Sequence, residues 1–467
     1  MDLTDLGNAR RFITSHGAYL RYCHQWKAWL WWNGRQWLHD DNGQVERWAK
    51  ATVLGFLDDS TELLAQAALA TAAGDQIRSN QLVKDAARAR SHALQSQNLN
   101  KFTAMITTAK SELVISVSPD NLDANPWQLN CLNGTVDLRT GILHPHQREN
   151  LITKMAPVLF IPNAKLPLWD QFLSQAIPNN ETRKYVQKCV GATIVGKAND
   201  DLLLLCFGVG GSGKSTFLNS IRNMLGDYAA AADLDTFTRS GQGPRPDLTR
   251  LQGRRMVVIS EIDPDNTLSL LKRATGNDPI ITRSHHQESF EFIPQFTLWI
   301  GTDKRLPIPD DDSGAWRRIR ELPFLVKFTH PEPRIREQLT NPNIAGSAIL
   351  AWAIEGCLLW QKEGIGTPPL QVIHGTAAHR REMDVLAEWR EDCTRITPSG
   401  WTPFKDLFIS YLKWAEDNGI SQPLGRKSFS QHLHVHFKPK QKPGQGGRGF
   451  AGIELITDGE GQDVGSV

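Results

Sequence analysis

Cysteine is scarce and scattered. The six residues Cys23, Cys131, Cys189, Cys206, Cys357 and Cys393 include no C-x-x-C pair, which argues against a zinc module and a disulfide framework and fits a reducing cytoplasm. Net charge is also nearly absent. Fifty-two Lys and Arg face 50 Asp and Glu, for +2, so the chain as a whole exerts no strong pull on nucleic acid and any basic surface must be local. No long apolar run occurs either. The most apolar stretch, Leu202 to Phe207, is far too short to cross a bilayer, and Met1 to Arg11 lacks the apolar core of a signal peptide, so neither secretion nor membrane insertion is expected. What remains is the composition of a soluble globular protein, 40% hydrophobic and 22% charged over 467 residues, long enough for roughly two to four domains.

The amino-terminal third mixes strands and helices. Trp26 to Trp37 alternates bulky residues around Asn33-Gly34, the dipeptide suited to the two positive φ angles of a tight hairpin. Its tryptophans Trp26, Trp29, Trp31, Trp32 and Trp37 have faces that suit base stacking, but in a half-buried hairpin they are read as core. Thr52 to Glu112 contains no proline and is rich in Ala, Leu, Gln and Lys, which predicts several helices with breaks at Gly74 and near Asn98. A second strand cluster spans Cys131 to His146, with turns at Asn133-Gly134 and Thr140-Gly141. Residues 1–160 are thus expected to form an α+β accessory domain. Pro157, Pro162 and Pro167 mark a linker before helical spacing resumes from Trp169 to Val195.

The strongest pattern lies in the middle. The apolar run Leu202 to Phe207 reads as a parallel strand buried on both faces. It leads into Gly208-Val209-Gly210-Gly211-Ser212-Gly213-Lys214-Ser215, which satisfies G-x-x-x-x-G-K-S, and then into an amphipathic stretch from Thr216 to Met224. Glycines let backbone N–H groups approach phosphates, Lys214 neutralises the β and γ oxygens of ATP, and the Ser215 hydroxyl is placed to ligate Mg²⁺. A second apolar strand, Met256 to Ile259, ends in Ser260-Glu261-Ile262-Asp263. At that sheet edge Glu261 would polarise the attacking water, and Ser260 or Asp263 would help hold the metal through water. A third strand, Phe296 to Ile300, ends in Gly301-Thr302-Asp303, a place from which a polar side chain can sense the γ-phosphate.

The order and spacing of these pieces, followed by Gly314-Ala315-Trp316-Arg317-Arg318, resembles the superfamily 3 helicases, in their poxvirus-like and phage or plasmid primase-helicase branch. The likeness includes Leu251 to Arg255, Lys272 to Arg283, Pro307 to Gly314 and, upstream, Leu132 to Leu138. It implies an AAA+-like motor over 165–365, and a homo-oligomeric ring, commonly a hexamer, with ATP and Mg²⁺ between subunits and single-stranded DNA in the channel. Arg317 or Arg318 would act in trans on the phosphoryl group. Lys272, Arg283, His285 and His286 would supply DNA contacts, the last three at the tip of a channel hairpin. Two positions depart from the family pattern. Ser260 stands where a first acidic residue is common, so Glu261 carries the expectation. Asp303 stands where Asn is usual; either it holds metal-bound water or it impairs hydrolysis.

Beyond Pro368-Pro369, a helix is predicted from Asp384 to Thr394. Thr402-Pro403 reads as a cap followed by proline in the first turn of a helix that Gly419 closes. Gly425 to Leu433 would supply a short recognition helix, and Phe437 to Ile456 a glycine-tipped hairpin. Together they resemble a winged-helix domain over 380–457, with a flexible tail at 458–467. Arg426, Lys427, Lys438, Lys440, Lys442 and Arg448 face one acidic residue, Glu454, between Ser421 and Ile456, the local basic surface sought above and a candidate contact for duplex or fork DNA. His432, His434 and His436 alternate as they would on one face of a strand, with no further metal ligand nearby.

The expected function is an ATP-dependent DNA helicase that replicates a phage, plasmid or integrated element in a bacterial cytoplasm. Two alternatives stand beside it: an origin-recognition ATPase, and the helicase part of a primase-helicase. Primer synthesis needs clustered carboxylates for two metals, yet Asp233/Asp235 and Asp263/Asp265 lie inside the motor region, so this stretch is not expected to carry a primase, and a separate primase or polymerase is a candidate partner.

Overall fold

The Trp-rich segment forms the hairpin its alternation predicts, but the turn closes differently. In the computed structural model, which describes residues 2–196, 201–233, 236, 245–259, 279–282, 290–308, 312–329, 332–441 and 448–456, Gly34 takes a positive φ (96°) and Asn33 acts through its side chain. Its Oδ1 accepts from the N–H groups of Arg35 and Gln36, each at 2.8 Å, an Asx-type closure rather than a two-residue turn.

The chain divides into two compact units, one of residues 1–162 with 225–228, the other of 163–224 with 229–467. In the first unit, α1 (Asp5–His16) precedes β1 (Leu20–Cys23), β2 (Ala28–Trp32) and β3 (Trp37–His39). Helices α2 (Gln44–Ala72), α3 (Gln76–Ser96) and α4 (Leu99–Ala109) lead to β4 (Ser116–Val117), which completes a sheet of order β3-β2-β1-β4. Gly74 (φ 81°) turns the chain between α2 and α3, and Asp75 caps α3 by accepting from Arg78 N at 3.0 Å. Trp37 is buried; Trp29 and Trp31 pack against the core of Phe12, Leu20 and Phe56, while Trp26 and Trp32 cover that of Cys23 and Leu30. A meander of β5 (Gln128–Cys131), β6 (Gly134–Asp137) and β7 (Ile142–His144) follows. Leu225–Tyr228 belongs to this unit: the Tyr228 hydroxyl accepts from Asn130 N at 3.1 Å.

The second unit opens with α5 (Pro167–Ala176) and α6 (Asn180–Val195), and then β8 (Leu203–Phe207) enters a sheet. After α7 (Lys214–Leu225) come β9 (Ala229–Ala231), α8 (Pro246–Thr249), β10 (Met256–Ile259), an antiparallel pair β11 (Ile280–Thr282) and β12 (Phe290–Phe292), β13 (Thr297–Thr302), α9 (Ser313–Trp316) and β14 (Ile319–Pro323). The sheet has the order β14-β8-β13-β10-β9, with every pairing parallel. Buried on both faces, β8 and β10 are continuous apolar runs. Helices α10 (Pro333–Thr340) and α11 (Pro342–Glu363) follow. By length and composition α11 is apolar enough to cross a membrane. In this fold it packs on α6 through paired glycines: a Cβ on Gly191 would lie 2.2 Å from Cys357 N, and one on Gly356 2.2 Å from the Gln187 carbonyl oxygen.

Next come α12 (Leu370–Glu382) and α13 (Ala387–Cys393), then β15 (Thr394–Pro403), α14 (Phe404–Asp417), α15 (Arg426–His436), β16 (Lys438–Gln441) and β17 (Arg448–Leu455), the strands in antiparallel order β15-β17-β16. Two expectations are corrected. Thr402 does not cap α14: its hydroxyl donates to the Ile453 carbonyl at 2.8 Å across the sheet, and Pro403 occupies the cap position. The three histidines lie on helix α15, not on a strand, so a two-residue spacing spreads them around the axis. His432 is buried, His434 bonds the Ser430 carbonyl one turn back, and His436 sits 3.2 Å from Asp384.

Candidate functional site

Strand β8 ends between two neighbours that fix where the chain leaves it. Gly208 N donates to the Thr302 carbonyl at the end of β13 (3.2 Å), and Phe324 N, just past β14, donates to the Phe207 carbonyl (2.8 Å). The loop root is so close to Phe324 that a Cβ on Gly208 would lie 1.9 Å from that residue's carbonyl oxygen. Glycine is required there by packing rather than by φ. Farther along, Gly211 and Gly213 take φ of 80° and 87°, which L-residues avoid. The rings of Phe172 and Phe328, stacked at 6.1 Å, close against Gly213. Phe328 N donates to the Gly211 carbonyl at 3.1 Å.

Helix α7 begins at Lys214, so its first N–H groups, with those of the loop, face outward without intrahelical acceptors. Lys214 is buried, and its Nζ donates to the carbonyls of Gly208 (2.6 Å) and Val209 (2.8 Å) and to Ser212 Oγ (3.2 Å). Burial lowers its pKa from the ordinary lysine value, opposed chiefly by the carboxylate of Asp303. Asp303 therefore lies within electrostatic reach of the ammonium. Ser212 is buried, while Val209, Gly210, Gly211 and Ser215 are exposed and Thr216 is partly so.

These groups line a cavity of about 1020 Å³ that runs from Gly210–Thr216 past Gly301–Lys304 to Leu168 and Phe172 of α5 and to Val326, Phe328 and Ile335. One end is rich in N–H, ammonium and hydroxyl groups, which suits a polyanion. The other end is mixed, with Leu168, Phe172, Val326 and Ile335 set among Gln171, Gln175, Lys327, Glu332 and Arg336. Among the described residues no three His, Cys, Asp or Glu gather to hold a metal ion; at the cavity, hydroxyls such as that of Ser215 are the donors that a bound anion could supplement around a hard cation.

Other candidates are dispersed. Arg317 and Arg318 precede β14 and sit 4.0 and 3.7 Å from Asp201, with side-chain exposures of 66% and 14%. Leu203 N donates to the Arg318 carbonyl, so both arginines stand at the amino edge of the sheet, opposite the loop. The length of β8 separates the two edges by roughly 16 Å at about 3.3 Å per residue. Ser260, Glu261, Asp263, Lys272, Arg283, His285, His286 and Lys442 lie outside the described residues; Ile259, just before Ser260, pairs with Ile300 beside the loop strand. Arg426, Lys427, Lys438, Lys440 and Arg448 are exposed on α15 and the β16–β17 hairpin. Arg426 also lies 5.7 Å over the rings of Phe404 and Phe408, a cation–π contact that orients it. Sequence reasoning missed the Phe172–Phe328 pair and the buried Arg305–Glu321–His379 cluster. The one available signal was an acidic residue, Glu321, inside the apolar-flanked strand β14.

Sequence comparison places this arrangement. Residues 9–178 match the model "D5 N terminal like", 206–318 a family of unknown function, and 381–450 the model "Poxvirus D5 protein-like". A Frog virus 3 protein described as "Putative helicase" is 27% identical over 286 residues, 55% of this chain and 29% of its own length. A mimivirus protein with the same description is 24% identical over 67% of this chain and 35% of its own. An African swine fever virus protein described as "Putative primase" is 25% identical over 64% of this chain and 34% of its own. The chain thus spans about a third of the length of the curated relatives it matches. The apo structure of the NrS-1 C-terminal region aligns with 96% of this chain and 99% of that one, at 11% identity and a TM-score of 0.46. The fold is a mixed α/β architecture with a parallel sheet. The chain is thus similar to poxvirus D5-like proteins in its amino- and carboxyl-terminal parts and to viral proteins described as putative helicases and primases, in line with the superfamily 3 primase-helicase resemblance of its motifs.

Proposed function

We propose that the chain is an ATP-dependent DNA motor of the AAA+-like, phosphate-loop type, serving replication of a phage, plasmid or integrated element. One observation carries this reading: Lys214 and the N–H groups of Gly210–Thr216 stand beyond the carboxyl end of β8, lining one end of a cavity of nucleotide size. The chain leaves β8 toward β9, β10 and β13 on one side and returns through β14 on the other, and ligands of open parallel sheets lie in the crevice at such a reversal. ATP fits the donor set: the triphosphate on the amides and Lys214, the base against the apolar side chains of Leu168, Phe172 and Val326 at the other, mixed end. Mg²⁺, shared between Ser215 and the phosphates, would neutralise developing charge. Glu261 is assigned to orient water, and Asp303 to the γ-phosphate end.

Arg317 stands at the far edge of its own sheet, so any action on a phosphate is on a neighbour's, which favours a ring, commonly a hexamer. The carboxyl-terminal α14–α15 and β16–β17 elements, with their basic side chains, are assigned as a winged helix that meets duplex or fork DNA. Single-stranded DNA is assigned to the channel, and a primase to another part of a longer protein or to a separate chain. Fork unwinding and native mass, measured with and without ATP and Mg²⁺, test motor and ring together. Lys214→Ala is expected to abolish hydrolysis and unwinding; normal unwinding by that variant would sink the assignment. Asp303 favours a second reading, an origin-recognition ATPase, because a carboxylate near the γ-phosphate opposes anionic charge. That protein would assemble on DNA with ATP but displace no strand.

A further inference from the structure

The cavity wall that carries Asp303 is tied to a buried charge cluster that no motif accounts for. Glu321, the third residue of β14, has a side chain only 3% exposed. Arg305, two residues past Asp303, grips it at both ends of the guanidinium: Nη2 to Oε1 at 3.1 Å and Nε to Oε2 at 3.3 Å. The same guanidinium lies 4.9 Å over the ring of Phe207, the residue just before Gly208, and its Nη1 donates to Glu382 at 2.5 Å. On α12, fully buried His379 donates from Nε2 to the Leu306 carbonyl at 2.9 Å and sets Nδ1 3.2 Å from Oε2 of Glu321. Thr376 of the same helix accepts from Glu321 N at 3.0 Å. A buried ion pair of this kind is weak evidence for stability, since apolar residues of similar volume often serve as well; fixing one geometry is the better-attested use.

That geometry concerns a short span. Thr302 is held in β13 by pairing with Phe207, and its hydroxyl bonds both the N–H and the carbonyl of Lys304. With Arg305 and Leu306 anchored on the other side, Asp303 and Lys304 are confined to a tight bend at the cavity. We propose that Arg305 is a positioning residue: through Glu321 and His379 it holds Asp303 at the cavity wall and links that wall to α12, the helix that leads into the basic carboxyl-terminal elements. This rests on the reading that the cavity hydrolyses a nucleoside triphosphate.

The test is steady-state ATP hydrolysis by the full chain, with Arg305→Ala, Arg305→Lys, Asp303→Asn and the Arg305→Ala/Asp303→Asn double variant, each checked by thermal melting. Arg305→Ala should lower kcat between about 10-fold and 100-fold while KM moves little, as misplacement of a reacting wall does. Arg305→Lys should restore part of the turnover. The loss should shrink to within about twofold when Asp303 is already Asn, because both changes act through one carboxylate. Wild-type kcat in Arg305→Ala, or losses that simply multiply in the double variant, overturns the inference. Should Arg305→Ala melt early, Glu321→Gln, which conserves volume, must reproduce the fall in kcat, and unchanged turnover in it also overturns the inference. Wild-type protein without magnesium-dependent turnover would instead sink the parent reading, and this one with it.

Discussion

Gly208→Ala is the sharpest perturbation available, because its effect follows from one distance. The added Cβ would meet the Phe324 carbonyl oxygen at 1.9 Å, whereas carbon and oxygen settle near about 3.3 Å even in close contacts, so the two chain segments must part by roughly 1.4 Å. Neither is free to move: Gly208 N is bonded to Thr302, and Phe324 N to Phe207. Overpacking of this sort costs about 1–3 kcal/mol, a fall in melting temperature of several degrees for a unit of this size. A displacement above about 1 Å at the phosphate end should cost on the order of 100-fold in turnover. Gly210→Ala is the control. Its Cβ meets nothing within 4 Å and its φ is not positive, so its melting temperature should match wild type. Differential scanning calorimetry of the two variants and ATP hydrolysis by Gly208→Ala decide the matter. A Gly208→Ala protein with wild-type melting and turnover would refute the reasoning.

Three more outcomes follow from named contacts. Arg317→Ala should keep magnesium-assisted nucleotide retention yet lower turnover in assembled protein, and mixing it with wild type should poison activity out of proportion; linear dilution would count against action in trans. Asp384, buried beside Arg390 and His436, pays a desolvation penalty that those partners outweigh, so its pKa falls to about 2 from 3.8. The stability it contributes is complete above the ordinary value and drains away as pH drops toward 2; Asp384→Asn should flatten that part of an acid titration followed by tryptophan fluorescence. Gly356→Val should destabilise the α6–α11 pair by more than about 3 kcal/mol, since added bulk strikes the Gln187 backbone; unchanged urea unfolding would show that the helices separate at little cost.

Much of the architecture was legible because local patterns are imposed by local chemistry. The breaks at Gly74 and Asn98 fall between α2, α3 and α4, since glycine and short polar residues end helices whatever surrounds them. The glycine-rich loop was legible for the same reason: strand, turn and helix are adjacent in sequence. Legibility failed where two conformations share one pattern. Alternating histidines fit a strand, but the helix that forms buries Phe429 and Leu433 on its core face, and that burial outweighs the spacing. Thr402 looked like a cap until its partner proved to be Ile453, 51 residues away.

Taken alone, the order of residues determined the chemistry at the cavity: a lysine, small hydroxyls and flexible glycines in one continuous stretch, and the resemblance of the chain to D5-like proteins. Tertiary structure decided what those groups meet. That Gly208 is sterically obligatory, that Asp303 shares a wall with Lys214, that Arg317 and Arg318 stand at the opposite sheet edge, and that Arg305 clasps Glu321 all depend on which strands lie side by side. Strand order is fixed by the burial of apolar faces summed over the whole sheet, a global quantity that no short window of sequence contains.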